Sequence, residues 1–158
     1  MKFQALLVAA ITTPLALAAP SATVDTPSKV LEDRQGCRVT TPVPCAYISP
    51  PPTEEETKAR HELFFDAFIL KKNLSEAFKY IDNVYTNHNP MARRGGPKEA
   101  LDILGGIWCN QNFRNAKSAF RGDMGYVAYN NIVDRFRWKD GCITEHWDSG
   151  ERWPSWAN

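Results

Sequence analysis

The alternation of apolar and polar positions predicts helices in the first half of the folded chain and strands in the second. The first predicted helix covers residues 53–70, and its apolar positions recur at helical spacing: Leu63, Phe64, Ala67, Phe68 and Leu70. Thr53 suits its start, because a threonine followed three residues later by Glu56 forms a capping box. Three glutamates in the first turn also suit the positive end of the helix dipole.

Two further helices are predicted in the same way. Asn73 and Glu76 repeat the box, and the buried positions of this second helix are Leu74, Ala77, Phe78 and Ile81. Pro97 suits the first position of a third helix after Gly96. The apolar positions of that third segment, residues 97–113, are Ala100, Leu101, Leu104, Ile107 and Trp108.

The remaining pattern indicates β-structure. Residues 84–90, "VYTNHNP", read as a short strand that Pro90 ends, and residues 115–123 read as a strand followed by a turn. Residues 124–138 predict one long strand, and Lys139-Asp140-Gly141 predicts a hairpin turn to a partner strand over 142–150. Helices followed by an antiparallel meander predict an α+β fold, with the helices on one face of a curved antiparallel sheet.

The ends of the chain divide it into segments. Residues 1–19 combine Lys2, an apolar run and small residues, which is the pattern of a secretory signal peptide. Residues 20–34 are polar and aperiodic, as in a propeptide or spacer, and cleavage after Arg34 would expose Gln35. We expect a secreted protein with a Cys- and Pro-containing extension over residues 35–52 and one domain over residues 53–158.

Charge and cysteine content narrow the classes of function. The net charge of +1 and the lack of a basic stripe argue against a nucleic-acid partner, and no later stretch is apolar enough to cross a membrane. Four cysteines in an exported chain predict two disulfides. Of the three pairings we favour Cys37–Cys45 with Cys109–Cys142. Asn73 begins an N-x-S sequon, which predicts surface glycosylation.

The candidate chemistry lies on the last two predicted strands. Asp134 shares a strand face with Ile132, Phe136 and Trp138, and a carboxylate among apolar neighbours either pairs or has a raised pKa. His146 and Asp148 share a face of the next strand. With His88 added, these residues are sufficient for general acid–base catalysis.

Each of these residues also has a purely structural interpretation. Asp134 could form an ion pair with an arginine, His146 could face solvent, and His88 could stabilise the turn before Pro90 through hydrogen bonds. His88, His146 and Asp148 could in principle form an iron site, but we predict no metal and no cofactor.

Two blocks resemble the SnoaL-like family of the nuclear-transport-factor-2-like superfamily. "YIDNVYTNHNP", residues 80–90, is similar to the helix-to-strand segment that ends in His-Asn-Pro, and "VDRFRWKDGCITEHWD", residues 133–148, is similar to the closing hairpin. The resemblance spans residues 53–148. The chain departs from the family pattern at Arg135, where an apolar residue is usual, and in its export signal.

The resemblance implies a curved sheet and three helices that form a cone-shaped pocket. It implies His88, Asp134, His146 and Asp148 as catalytic residues, and we expect Tyr85, Ile132, Phe136 and Trp138 to line the pocket. The implied activity is a cofactor-free lyase, isomerase or cyclase that acts on a small apolar carbonyl compound. The alternative is a secreted, non-catalytic ligand-binding or interaction module on the same fold, and either form is compatible with a homodimer.

Overall fold

A computed structural model describes residues 37–92 and 95–158 of the chain. The predicted signal peptide, residues 1–19, and the predicted spacer, residues 20–34, lie outside the described residues. Within the described ranges, no helix has the length and apolarity needed to span a bilayer.

The first helix, α1 (Glu54–Phe65), begins as predicted. The Thr53 side chain accepts a hydrogen bond from the Glu56 amide, and the Glu56 side chain accepts one from the Thr53 amide, which completes the capping box. The helix continues as a π-helical turn over Asp66–Leu70. Its buried stripe differs from the prediction: Leu63 and Leu70 are exposed, whereas Thr57 and His61 are buried beside Phe64.

The second and third helices are short. In α2 (Leu74–Ala77) the Asn73 side chain accepts a hydrogen bond from the Glu76 amide, and a 3-10 turn over Phe78–Tyr80 follows. Asn73 is exposed, and its glycosylation stays a prediction. In α3 (Pro97–Gly105) the proline occupies the first turn, as expected, because a missing amide proton costs nothing there.

In the part of the chain that the structure describes, five strands form one sheet. They are β1 (Ile81–Asn87), β2 (Lys117–Arg121), β3 (Met124–Tyr129), β4 (Ile132–Lys139) and β5 (Cys142–Trp147). Their order is β1-β5-β4-β3-β2; the last four form the predicted antiparallel meander, and β1 joins β5 in parallel. With three helices against this sheet, the predicted α+β class is confirmed.

The predicted long strand over residues 124–138 is wrong, because the chain reverses at Asn130-Asn131. Both asparagines adopt the left-handed region, with φ of 49° and 66°. This conformation matches the tight hairpin turns that join antiparallel strands, and asparagine tolerates it better than most residues. The turn brings Tyr129 opposite Ile132, so that β3 and β4 pair along their whole length.

Aromatic side chains form the core between the helices and the sheet. Phe64 stacks on Phe68 with ring centroids 5.1 Å apart and meets Phe136 edge-on at 4.9 Å. Phe68 stacks in turn on Trp108 at 4.3 Å, and the indole N–H of Trp108 donates to the Phe68 carbonyl. These contacts fix the position of α1 over β4 through large buried surfaces with directional ring packing.

The favoured cysteine pairing is also wrong, although the prediction of two disulfides is confirmed. The bridges are Cys37–Cys109 and Cys45–Cys142. The segment around Cys45 lies along the free edge of β1, where the Cys45 amide donates to the Ile81 carbonyl at 2.9 Å. The Ile48 amide of the same segment donates to the Asp140 carbonyl at 2.9 Å, so the segment also reaches the turn between β4 and β5. Cys142, the first residue of β5, is therefore within reach of Cys45, and the local pairing is lost.

A histidine is buried inside the core. His61 has no solvent exposure, and its Nε2 donates to the Tyr126 carbonyl at 3.2 Å, while its Nδ1 meets no hydrogen-bond partner among the described residues. Glycine at position 125 is required by this contact, because a Cβ there would overlap the imidazole ring. Burial lowers the pKa of His61 from 6.5 to about 4, against an opposing effect of the Tyr126 hydrogen bond.

Acid should therefore weaken the fold through His61. The unfolded state takes up this proton near pH 6.5 and the folded state only near pH 4, so stability is lost as the pH falls through that window. The loss should reach about 3 kcal/mol below the window. Urea unfolding of wild type and His61→Phe across the window tests this. We expect a shallower pH dependence in the variant, and equal slopes would contradict the assignment.

Candidate functional site

A cavity of about 250 Å³ lies between the helices and the inner face of the sheet. Most of its wall is apolar and aromatic, with contributions from Phe68, Phe78, Ile81, Tyr85, Trp108 and Phe136. Its polar groups come from the paired ends of β1, β4 and β5 and the residues that follow β1 and β5: Asn87, Asn89, Asp134, His146 and Asp148. Their convergence follows from the sheet order, because β1 and β5 run parallel and end together.

Asp134 is a buried carboxyl group in this cavity, with 3% of its surface exposed. The Tyr129 hydroxyl donates a hydrogen bond of 2.9 Å to its Oδ2. The Asn130-Asn131 turn makes this contact possible, since it folds the end of β3 back over the start of β4. The other oxygen, Oδ1, therefore remains available to a second partner.

That partner is His146, whose ring stacks on Phe136 at 4.8 Å. Its Nδ1 lies 3.1 Å from Oδ1 of Asn87, and the Asn89 amide donates to that same oxygen at 2.9 Å. The hydrogen bond from the Asn89 backbone amide identifies this atom of Asn87 as the side-chain oxygen, which can only accept hydrogen bonds. Nδ1 of His146 is therefore the donor and carries a proton. Nε2 then faces Oδ1 of Asp134 at 3.4 Å, within ion-pair distance but outside hydrogen-bond geometry.

Asp148 is held by Asn89. The Asn89 side-chain amide donates to Oδ2 of Asp148, and its own Oδ1 accepts from the Met91 amide at 2.7 Å. The second contact identifies the oxygen of the Asn89 side chain and so fixes which end meets the carboxylate. The two asparagines thus orient His146 and Asp148 from one short segment.

Two tyrosines in the cavity wall, Tyr85 and Tyr129, have raised pKa values. Burial raises the pKa of Tyr85 well above its usual value, and the charges of Asp134 and Asp148 raise it further. Burial, together with the charge and hydrogen bond of Asp134, raises the pKa of Tyr129 in the same direction. Both phenols are therefore neutral hydrogen-bond donors beside a negatively charged group of side chains.

The structure brings three of the four predicted catalytic residues together and separates the fourth. Asp134, His146 and Asp148 line the cavity, whereas His88 lies on the opposite face of the sheet. There its ring stacks on Trp147 at 4.6 Å, and its Nε2 meets Glu145 at 3.0 Å. The predicted position of His88 in the pocket is wrong, because side chains alternate along an extended segment and Asn87 already points inward.

Two of the four residues predicted to line the pocket lie in the cavity wall, and the other two lie outside it. Tyr85 and Phe136 line the cavity. Ile132 is 45% exposed at the start of β4, beyond the cavity. Trp138 is buried at the other end of the strand, where it meets His61 edge-on at 5.8 Å. Both share the face of Asp134, but the cavity extends over only the middle of that face.

Asn87, Asn89 and Tyr129 are the site residues that the sequence interpretation missed. The alternation rule was sufficient to find the asparagines, since they flank His88 and share the face of Tyr85. Tyr129 carried no such signal, because its contact with Asp134 depends on the turn between them.

Three side chains of the site could bind a cation. One ligand atom each from Asp134, His146 and Asp148 lies within 4.8 Å of the others. His88 cannot join them from the opposite face, so the iron site of two histidines and Asp148 is not formed.

Comparisons with known proteins do not assign the chain to a family. No protein-family model and no curated protein matches the chain. Among solved structures it is similar to an NTF2-like protein of unknown function from Burkholderia pseudomallei, with 13% sequence identity and a TM-score of 0.43. The match covers 60% of this chain and 90% of that one.

Proposed function

We propose that the protein is a secreted SnoaL-like enzyme that acts on a small apolar carbonyl compound by acid–base catalysis, without a cofactor. The observation that carries the proposal is the geometry of Asp134, a buried carboxyl group with one oxygen held by Tyr129 and the other facing His146 at 3.4 Å. The two disulfides and the signal-peptide pattern of residues 1–19 support an exported protein.

The proposed reaction uses Oδ1 of Asp134 and Nε2 of His146, which face each other without forming a hydrogen bond. Oδ1 of Asp134 removes a proton from the carbon next to the substrate carbonyl, the electron pair of that C–H bond forms a C=C bond, and the π pair of the carbonyl moves onto its oxygen. His146, protonated at Nε2, donates a proton to that oxygen and yields an enol. Asp134 then returns its proton to a different, conjugated carbon while His146 takes back the enol O–H proton, and the substrate is isomerised. Where the neighbouring carbon carries a leaving group, that group departs with the electron pair of its bond, His146 takes back the O–H proton and Asp134 protonates the leaving group, so that the enzyme is a lyase.

The surroundings favour this assignment of roles. Asn87 holds a proton on Nδ1 of His146, so that Nε2 is the atom that exchanges a proton with the substrate. Tyr129 fixes the carboxyl group of Asp134 in one orientation. Asp134 is 3% exposed within a mostly apolar wall, and this burial strengthens the electrostatic contacts that it makes.

The competing function is that of a binding module. The same contacts with Tyr129 and His146 would also satisfy Asp134 as a structural group, and an apolar cavity can capture a ligand without converting it. This alternative predicts saturable binding of carbonyl compounds and no exchange of their protons.

Exchange of carbon-bound protons for deuterium tests the proposal without knowledge of the natural substrate. We expect the wild-type protein to accelerate exchange next to the carbonyl in at least one ketone of a panel followed by NMR in deuterated water. His146→Gln should slow that exchange by roughly a hundredfold or more. His88→Gln is the matched control, because His88 lies on the other face, and it should change the rate less than about twofold.

Equal losses in the two histidine variants would contradict the assignment of His146. Saturable binding of the ketones with no exchange above the buffer rate would establish the binding module instead.

A further inference from the structure

The cavity opens to solvent through an apolar rim. Met91, Ile103 and Ile107 all line it, yet they are 78%, 41% and 49% exposed. Asp134, which lines the same cavity, is 3% exposed. The lining therefore runs from buried polar groups to exposed apolar side chains, and the opening lies between the turn at Pro90–Ala92 and the end of α3.

The size of the cavity limits what fits inside. At about 30 Å³ for each water-sized group, a volume of 250 Å³ holds roughly eight non-hydrogen atoms. A longer molecule must pass the rim, where the exposed side chains would cover its apolar surface. Exposed apolar side chains that continue a cavity wall are typical of ligand-binding sites.

The charges of the cavity side chains restrict which polar group of a ligand can bind there. Two carboxyl groups, Asp134 and Asp148, face one imidazole, so that at most one negative charge is compensated within the group. Among the described lining residues there is no lysine or arginine. A ligand carboxylate placed here would meet like charge at close range in a poorly solvated site, which is strongly unfavourable.

We propose that the cavity takes an uncharged, elongated ligand, with its carbonyl or hydroxyl group at Asp134 and His146 and its apolar chain passing out between Met91, Ile103 and Ile107, and that it rejects the corresponding carboxylates. This inference rests on the proposed function in taking the cavity as the site that binds a small molecule. It does not depend on catalysis, since it concerns binding alone.

Calorimetric titration with two matched series of probes tests it: straight-chain methyl ketones of six, eight and ten carbons, and carboxylates of the same lengths. Each added CH₂ buried in the cavity or against the rim should tighten ketone binding by up to about fourfold. Carboxylates of equal length should bind roughly tenfold or more weakly. Asp148→Asn should reduce that difference, because it removes one of the two charges.

Variants of the rim test the path of the chain. Met91→Ser combined with Ile107→Ser should weaken the longest ketone by roughly fivefold or more and leave the shortest within about twofold. Val84→Ser is the matched control, since Val84 is 71% exposed but lies outside the cavity lining. It should leave every ketone affinity unchanged.

Several results would overturn the inference. These are carboxylates that bind as tightly as ketones, no ketone binding up to the solubility limit, or equal effects of the rim variants on short and long ketones. A rim variant that changes only the sedimentation of the protein would instead assign the rim to contact with a second copy of the chain. Ketone binding with the expected pattern but without proton exchange would confirm the ligand class and reject the catalytic proposal.

Discussion

Asp134→Asn is expected to lower turnover of a carbonyl substrate by roughly a hundredfold or more, the usual scale for the loss of a general base. The amide has the shape of the carboxyl group and can still accept the Tyr129 hydroxyl, so the side chain should keep its place. It cannot remove a proton from carbon. Ligand affinity should therefore change far less than turnover, and the measurement is the turnover rate and the dissociation constant of the same ketone.

A second buried carboxyl group supplies the control. Asp82 is 7% exposed, lies on β1 outside the cavity lining, and accepts the Val84 amide at 3.4 Å. Asp82→Asn carries the same chemical change at a comparable depth, so it reports the effect on stability alone. Urea unfolding of both variants separates the two effects. Unchanged turnover in Asp134→Asn, or a loss of folding in place of activity, would show that Asp134 is a structural group.

The sequence best predicted those structural features that depend on residues close to one another in the chain. The start of each helix depends on residues within one turn: Thr53 with Glu56, Asn73 with Glu76, and Pro97 after Gly96. The strand pattern that follows was enough to predict the α+β class. It also placed Asp134 and Phe136 on one face, and both line the cavity.

The sequence-based predictions were wrong where contacts join distant parts of the chain. They were also wrong where a local backbone conformation interrupts the pattern of apolar and polar residues. Apolar alternation runs through Asn130-Asn131, and only the left-handed preference of asparagine indicates that the strand breaks there. His88 was predicted to be catalytic because histidine can act as an acid or a base. The alternation of side chains along the strand instead directs its neighbours Asn87 and Asn89 toward the cavity. The order of β1 and β5, which decides which groups meet, depends on pairing across more than fifty residues and leaves no local signal.

The disulfides also join distant parts of the chain. Their removal should have the largest effect on the free energy of unfolding. Cys45–Cys142 and Cys37–Cys109 span 97 and 72 residues. Closing loops of this length restricts the unfolded chain enough to stabilise the fold by about 4–5 kcal/mol each. Replacing both cysteines of one bridge by alanine should lower the free energy of unfolding accordingly. Cys45→Ala with Cys142→Ala should cost more, because both sulfur atoms lie in the interior and their loss also leaves a cavity.

The size of the effect distinguishes the observed pairing from the local one. A Cys37–Cys45 bridge would close a loop of about eight residues and contribute only about 2–3 kcal/mol. Losing Cys45–Cys142 should also release the segment around Cys45 from the edge of β1, since the bridge reinforces the hydrogen bond from the Cys45 amide to Ile81. Urea unfolding of the two double variants, with hydrogen exchange at the Cys45 amide, measures both effects. Peptide mapping of unreduced protein gives the connectivity directly, and a fragment that joins Cys37 to Cys45 would contradict the structure.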